Sequence, residues 1–396
     1  MRIYITFHAI YATRNILFEG ASFFILCQNW TYPESQIQRI FSFQFAMSTI
    51  VCSHCSGIFP SRNQLFKHIS VCTVKHREEL NNVGIVHREV EDVLKEDDTK
   101  DVYLVVVGGR HRGKTLGSCE RFSFRRQLWE PFAPMLENRG SHGCASSAGY
   151  IYALGGGGFK SNLATCERYD IKTNIWTEIA PMMCLRHALT VVSHSGNPHI
   201  YCIGGWKDGS VCSADVERYN VIENTWTTMK SMNIARRLAG VAECNGDLFV
   251  FGGCISDGNH LSADVVTNGW CTSTAERYDI VGNSWTLLSN LPCKGPASAA
   301  TVGGSIYIFF HSKCVYRFTP NNSNVNEYVK LCNLPESQWC TFNVSTFGRR
   351  IFLVGGAIDG KWTTKCYCFD TITCNFTEMP EMNTPRRRCA ATIIEN

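Results

Sequence analysis

Residues 52–72 read CSHCSGIFPSRNQLFKHISVC, which sets Cys52 and Cys55 three positions apart and His68 and Cys72 four apart. The first spacing fits a tight turn, and the second puts both side chains on one face of a helix. Three thiolates and an imidazole are a donor set that holds zinc in a tetrahedron. Cys52, Cys55, His68 and Cys72 are therefore expected to bind one structural zinc ion. Phe59 and Leu65 recur at spacings that would pack under the ion. The competing reading is a chance cysteine cluster beside a basic helix.

These residues resemble the Cys2His2 zinc-finger family, with Cys72 in place of the last histidine. The resemblance covers about twenty residues. It implies that Ser61, Asn63, Gln64 and Lys67 occupy the family's base-reading positions, where Asn and Gln suit adenine and Lys suits guanine or phosphate. One finger covers only about three base pairs, so protein contact or local folding is the stronger expectation and nucleic acid the weaker one.

The rest of the chain must position such chemistry. It has 396 residues, 44% apolar and 18% charged, with a formal net charge of +4. That is enough apolar material for a large core, and the charge calls for no nucleic-acid partner. No apolar run is long enough to read as a spanning helix. The 21 cysteines are an odd number in a long chain, which fits a reduced thiol-rich protein of the cytoplasm or nucleus better than a disulfide framework. Residues 1–46 show no clear period and no secretory pattern. They read as a poorly structured extension upstream of a true start at Met47, with a targeting role or an ordered cap on the rest of the protein as the lesser alternatives. Residues 47–74 form the finger. Residues 75–100 read as a charged helical linker, with Val83, Val86, Val90 and Val93 along one stripe.

From residue 101 the chain repeats itself. Apolar runs end in paired glycines at Gly108, Gly155, Gly204, Gly252 and Gly355, with a sixth unit at 306–311 where Phe310 and His311 replace the pair. Each run is followed by ERF at 120–122, ERY at 167–169, 217–219 and 276–278, YRF at 316–318 or YCF at 367–369. Seven residues on stand Trp129, Trp176, Trp226 and Trp285, with Phe376 in the sixth unit and Val325 in the fifth. Each unit predicts four short strands, too few residues to bury both faces of its own sheet, and radial stacking resolves that.

These units resemble the kelch family over about 295 residues. The resemblance implies a mainly β, six-bladed propeller over 101–396. Its first unit lacks a small-residue strand, and RRRCAATIIEN at the end is similar to RRLAGVAEC at 236–244, so residues 386–395 are expected to return and complete blade one.

Loops that follow the glycine pairs and loops that precede the small-residue strands emerge on one rim, and loops on a rigid scaffold commonly carry function. The candidates for partner binding there are Arg112, Lys114, Arg139, Ser141, Arg186, Trp206, Lys207, Arg236, Arg237, Lys361, Trp362, Arg387 and Arg388. Arginine pairs carboxylates and tryptophan supplies apolar anchors, so an acidic protein or peptide is the expected ligand. The opposing reading is that several of these arginines pair with neighbouring blades. The Glu and Arg of the ERY segments read as repeat-level structure because they recur.

Two further classes remain as alternatives. One is a nucleic-acid-linked regulator acting through the finger. The other is a rim-metal kelch enzyme using His111, His142, His187, His260 or His311, although no two of these share a tight spacing. No phosphate-binding loop follows GGGG at 155–158, and no catalytic residue is assigned. Kelch-like ubiquitin-ligase adaptors resemble the propeller, which implies a substrate-recognition role, though neither a BTB nor an F-box segment is read here. Cys166, Cys202, Cys254 and Cys389 read as small apolar fillers, with redox sensing as the lesser alternative.

Overall fold

Two units divide the chain, Met1–Asp98 and Thr99–Asn396. The computed structural model describes residues 101–157, 161–207, 211–255, 271–311, 313–320 and 327–395, together with four short strands of the first unit. Those strands are Arg2–Thr6, Ser22–Leu26, Ile50–Val51 and Ile58–Phe59, joined in one sheet. Two of them fall in 1–46, where the sequence showed no strand period. Both RIYIT and SFFIL are apolar runs of β-branched and aromatic residues, which pair as strands without alternating. The zinc-ligand candidates Cys52, Cys55, His68 and Cys72, and the helix expected over 75–100, lie outside the described residues.

The second unit holds six four-stranded antiparallel sheets among its described residues. Blade two is the pattern: Gly143–Ser147, Tyr150–Gly157, Asn162–Asp170 and Ile175–Ile179, inside to outside. Blades three to six begin at the inner strands Thr190–Ser193, Gly240–Cys244, Ala297–Val302 and Asn343–Phe347. Blade one joins Ala390–Glu395 to Val102–Val107, then Cys119–Ser123 and Leu128–Phe132. Its register runs from Ala390 opposite Val107 to Glu395 opposite Val102. The first and last segments of the repeat array therefore share one sheet, and the six inner strands adjoin in a closed cycle. This is a six-bladed β-propeller.

Residue types follow radial position. The second strands, such as VYLVVV at Val102–Val107 and SIYIFF at Ser305–Phe310, are buried on both faces and read as continuous apolar runs. Inner strands are crowded by their neighbours: a Cβ on Gly143 would stand 1.9 Å from Cγ2 of Val191 in the next blade. Farther out, the repeated aromatic and tryptophan lie directly opposite each other, as Tyr169 does Trp176 and Tyr219 does Trp226. They pack between blades: Trp176 joins the cluster that holds Val105, Val107 and Phe132 of blade one.

The constant seven-residue step from aromatic to tryptophan comes from one tight turn. Asn174, Asn224 and Asn283 each sit two residues before the tryptophan at φ of 57°, 53° and 47°. Left-handed backbone is tolerated best there by glycine and asparagine. Each asparagine Oδ1 also accepts the hydroxyl of its own blade's tyrosine, from Tyr169 at 2.8 Å, Tyr219 at 2.7 Å and Tyr278 at 2.6 Å. The same atoms accept the N–H of Ala133, Ala180 and Lys230 from the preceding blade. The tryptophans finish the joint: Trp176, Trp226 and Trp285 donate Nε1–H to the carbonyls of those same three residues.

Blade five breaks the step. Phe318 lies opposite Tyr328, and their rings stack at 5.2 Å. Tyr328, not Val325, holds the tryptophan's place, because the segment after Phe318 is three residues longer than the repeat's turn.

Candidate functional site

The rim is built by continuing each blade's innermost pairing beyond the strands. Past the glycine pairs the register carries on as bridges between Arg110 and Arg387, Gly140 and Gly157, His187 and Trp206, Arg237 and Cys254, and Cys340 and Ala357. In blades one to four and in blade six the entering loop is thus zipped to that blade's own hairpin. The second glycine of the pair allows this close approach: a Cβ on Gly205, at φ +104°, would meet the carbonyl oxygen of His187 at 2.9 Å.

Adjacent loops are tied together around the channel mouth. Ser141 N–H donates to Arg388 O at 2.8 Å, Ala188 N–H to Ser141 O at 2.7 Å, and Leu238 N–H to Ala188 O at 3.0 Å. Ala297 N–H donates to Leu238 O at 3.2 Å and Arg388 N–H to Thr341 O at 3.3 Å. At the remaining junction the Thr341 N–H donates instead to His311 Nδ1 at 3.3 Å. His311 therefore completes the ring in the degenerate fifth blade, and burial pushes its imidazole down to about 3, so it stays neutral.

Five of the basic rim candidates are buried, three of them almost completely. Arg139, Arg186 and Arg236 are at most 1% exposed, as is Arg386. Each guanidinium turns inward and meets the glutamate of an ERY or ERF segment: Arg139 with Glu167 at 2.8 Å, Arg186 with Glu217 at 2.8 Å, Arg236 with Glu276 at 2.8 Å and Arg386 with Glu120 at 2.6 Å. Each also donates to the carbonyl of the first repeat glycine, from Gly155, Gly204, Gly252 and Gly108. The glutamates accept backbone N–H groups of the incoming loop as well, such as Leu136 and Glu137 onto Glu167. A buried charge needs this degree of pairing. Arg139, Arg186 and Arg236 are thus inter-blade fasteners, a correction to their expected role as partner contacts. Within each ERY segment the arginine faces away from its glutamate: Arg121 bonds Glu130 at 2.7 Å, and Arg168 lies over Tyr150 at 4.7 Å.

Blades five and six lose both halves of the pair together. In blade six Trp339 stands in the arginine's place and Tyr367 in the glutamate's, their rings 5.3 Å apart. Trp339 Nε1–H still donates to Gly355 O at 2.7 Å, which keeps the contact to the repeat glycine. In blade five Tyr316 replaces the glutamate, and the carbonyl received by Gly253 N–H comes from Gly295.

The other candidates separate into two kinds. Ser141, Arg237 and Arg388 are buried in the rim floor; Ser141 and Arg388, at φ 55° and 52°, belong to the backbone ring. Arg237 lies 4.0 Å over the Trp206 ring and Arg387 lies 5.6 Å from that of Trp362. Lys207 pairs with Asp215. Arg112, Lys114 and Lys361 are exposed at hairpin tips. The hairpins of blades one and six converge, with the rings of His111 and Trp362 5.8 Å apart. The hairpins that carry Arg112 and Lys114, and Asp359 and Lys361, thus adjoin at the Trp362 ring, which Arg387 also approaches. Among the described residues no group of three or more His, Cys, Asp or Glu gathers as a metal site. His142 is 5% exposed and wedged between the first two blades, with neither ring nitrogen hydrogen-bonded.

Sequence reasoning missed the asparagine of the N-x-Trp turn and the function of the first arginine of each loop. The turn was legible as Asn174-Ile-Trp176, Asn224-Thr-Trp226 and Asn283-Ser-Trp285.

A six-bladed propeller with this joint defines the class. The particular repeat is identified by comparison: the Kelch motif family matches residues 138–183, 189–233 and 235–292. The chain carries kelch repeats. It is similar to Kelch-like protein 25 of Xenopus tropicalis, 27% identical over 204 residues, covering 50% of this chain and 33% of that protein. It is similar to Kelch-like protein 15 of Danio rerio, 28% identical over 253 residues, 61% of this chain and 35% of the relative. It is also similar to Kelch repeat and BTB domain-containing protein 1 of cowpox virus (strain GRI-90 / Grishak), 29% identical over 192 residues, 47% of this chain and 31% of that protein. The chain spans about a third of the length of these curated relatives.

Proposed function

We propose that the propeller is a non-catalytic protein-binding platform that takes an acidic protein or peptide segment on its loop rim. The observation that carries this reading is the meeting of the hairpins that carry Arg112, Lys114 and Lys361 at the Trp362–Arg387 contact. An apolar ring flanked by cations and held on a rigid scaffold is suited to an acidic side chain beside a hydrophobic one. The likeness to kelch-like proteins supports the finer proposal that the platform selects substrates for a ubiquitin ligase.

The test is binding of the full chain to an array of Asp- and Glu-rich peptides, wild type against the Arg112→Glu/Lys361→Glu double variant. Retention of the same peptides by both, with unchanged affinity, would sink the rim reading. The ligase role is tested separately by affinity purification, and capture without any cullin component counts against it.

The first unit is proposed to carry one structural zinc ion on Cys52, Cys55, His68 and Cys72. Ile50 opposite Phe59 and Val51 opposite Ile58 supports this, since Cys52 and Cys55 fall in the connection of that hairpin. The ion would supply folding energy rather than catalysis. Metal content by native mass spectrometry, with and without Cys52→Ser, tests it.

A further inference from the structure

Cys254 follows the glycine pair of blade four, and Cys271 begins the return after the long connection 255–270. The two lie opposite each other in an antiparallel bridge. Cys254 N–H and C=O are both engaged by Arg237, at 2.8 and 3.0 Å, on the other edge, while Thr272 N–H donates to Gly253 O at 3.0 Å. Cys254 and Cys271 are therefore a non-hydrogen-bonded pair. Such pairs have Cα atoms about 4.5 Å apart with side chains on one face, within the range a disulfide spans.

The surroundings distinguish the two thiols. Cys254 is 1% exposed, and Cys271 is half-buried. A hydrogen bond from the Cys254 thiol, joined by the charges of Lys313, Lys294 and Arg237 and opposed by burial, brings Cys271 down to about 7. Cys254 moves the other way because of that same hydrogen bond and its burial. A third thiol, Cys212, donates to Cys254 O at 3.4 Å, but the trio forms no metal site among the described residues.

We propose that Cys271 and Cys254 form a peroxide-responsive thiol pair, Cys271 the attacking thiolate and Cys254 the resolving thiol, joined on oxidation by a disulfide across their bridge. The Cys271 thiolate attacks one oxygen of a hydroperoxide. An S–O bond forms, the O–O bond breaks, and the leaving oxygen takes up a proton. Cys254 then gives up its proton and attacks the sulfur of the Cys271 sulfenic acid. The S–S bond forms, the S–O bond breaks, and hydroxide leaves as water with that proton. Two thiols lose two electrons and hydrogen peroxide becomes two waters. A dithiol reverses the step.

The experiment uses the reduced full chain and hydrogen peroxide at one to ten equivalents, followed by alkylation, cleavage before aspartate and mass spectrometry. The fragments 247–256 and 264–278 each contain one cysteine. They are expected to appear joined, lighter than their sum by two hydrogens, and to separate after dithiothreitol. In Cys254→Ser, dimedone is expected to label Cys271. The wild type supplies a reading independent of any variant's folding: Cys271 is expected to react with iodoacetamide at pH 7 about tenfold faster than a thiol of ordinary pKa. The proposal is overturned if Cys271 reacts at the ordinary rate, or if it passes to sulfinic acid without the link. It is equally overturned if Cys293 and Cys314, whose sulfurs lie 3.7 Å apart in blade five, join at lower peroxide.

Discussion

Arg386 donates to Glu120 at 2.6 Å although 266 residues separate them. The same guanidinium reaches Gly108 O and Ser118 O, both at 2.8 Å. Asn383 and Thr384 N–H groups donate to the Glu120 carboxylate. The last strand is thus fastened into the first blade by the same joint that fastens blades two to four, whereas blades five and six lack it.

Arg386→Ala leaves Glu120 charged and buried. The expected loss is about 3–5 kcal/mol, the usual effect of removing one partner of a buried pair. The double variant Arg386→Met/Glu120→Leu should be less damaged than Arg386→Ala. Chemical denaturation of the three proteins checks this, and a double variant as unstable as the single would contradict it.

Blade six offers a swap. Trp339→Arg places an arginine opposite Tyr367 with no carboxylate, and Tyr367→Glu places a carboxylate opposite Trp339. Each single change is expected to destabilise. Together they rebuild the pair of the other blades, with a favourable coupling above about 1 kcal/mol in a double-mutant cycle.

Asn224 combines left-handed backbone with two accepted hydrogen bonds, from Tyr219 Oη and Ala180 N. Asn224→Gly loses only the hydrogen bonds, while Asn224→Ala also strains the backbone. The alanine variant should be less stable than the glycine variant by about 1 kcal/mol. Equal melting temperatures would show that the φ angle carries no cost.

Burial pushes His142 down to about 3, helped by the charge of Arg139. An unfolded histidine titrates near 6.5. From about pH 6.5 down to 3 the unfolded chain binds a proton that the native state refuses, so stability falls with falling pH, by about 1.4 kcal/mol per unit. His142→Leu should remove that slope while leaving other acid-sensitive groups in place. The check is the difference between wild type and variant in denaturation midpoint at pH 7.5 and pH 5.

The rim reading has an ionic signature. Binding of an acidic peptide should weaken as salt rises from 50 to 300 mM, and Trp362→Ala should lower affinity with little change in melting temperature because that ring is only half-buried. Salt-independent binding would argue for an apolar partner.

The repeat, its glycine pairs and its aromatic–tryptophan step were legible in the sequence because they are local: a tight turn and a fixed hairpin constrain residues a few positions apart. The kelch resemblance and the six-bladed propeller rested on that local pattern. Arg139, Arg186 and Arg236 were visible as loop arginines, yet their spacing says nothing of which way a guanidinium turns. That was decided by Glu167, Glu217 and Glu276, 28 to 40 residues away, which draw the charge inward. Tyr328 escaped notice because a longer turn shifted it out of step. The Cys254–Cys271 bridge also depends on residues far apart in the chain. Sequence by itself determined the units and their number. Only the tertiary structure decided which charges are consumed between blades and which remain at the rim, because a buried ion is settled by the partners that folding brings to it and not by its neighbours along the chain.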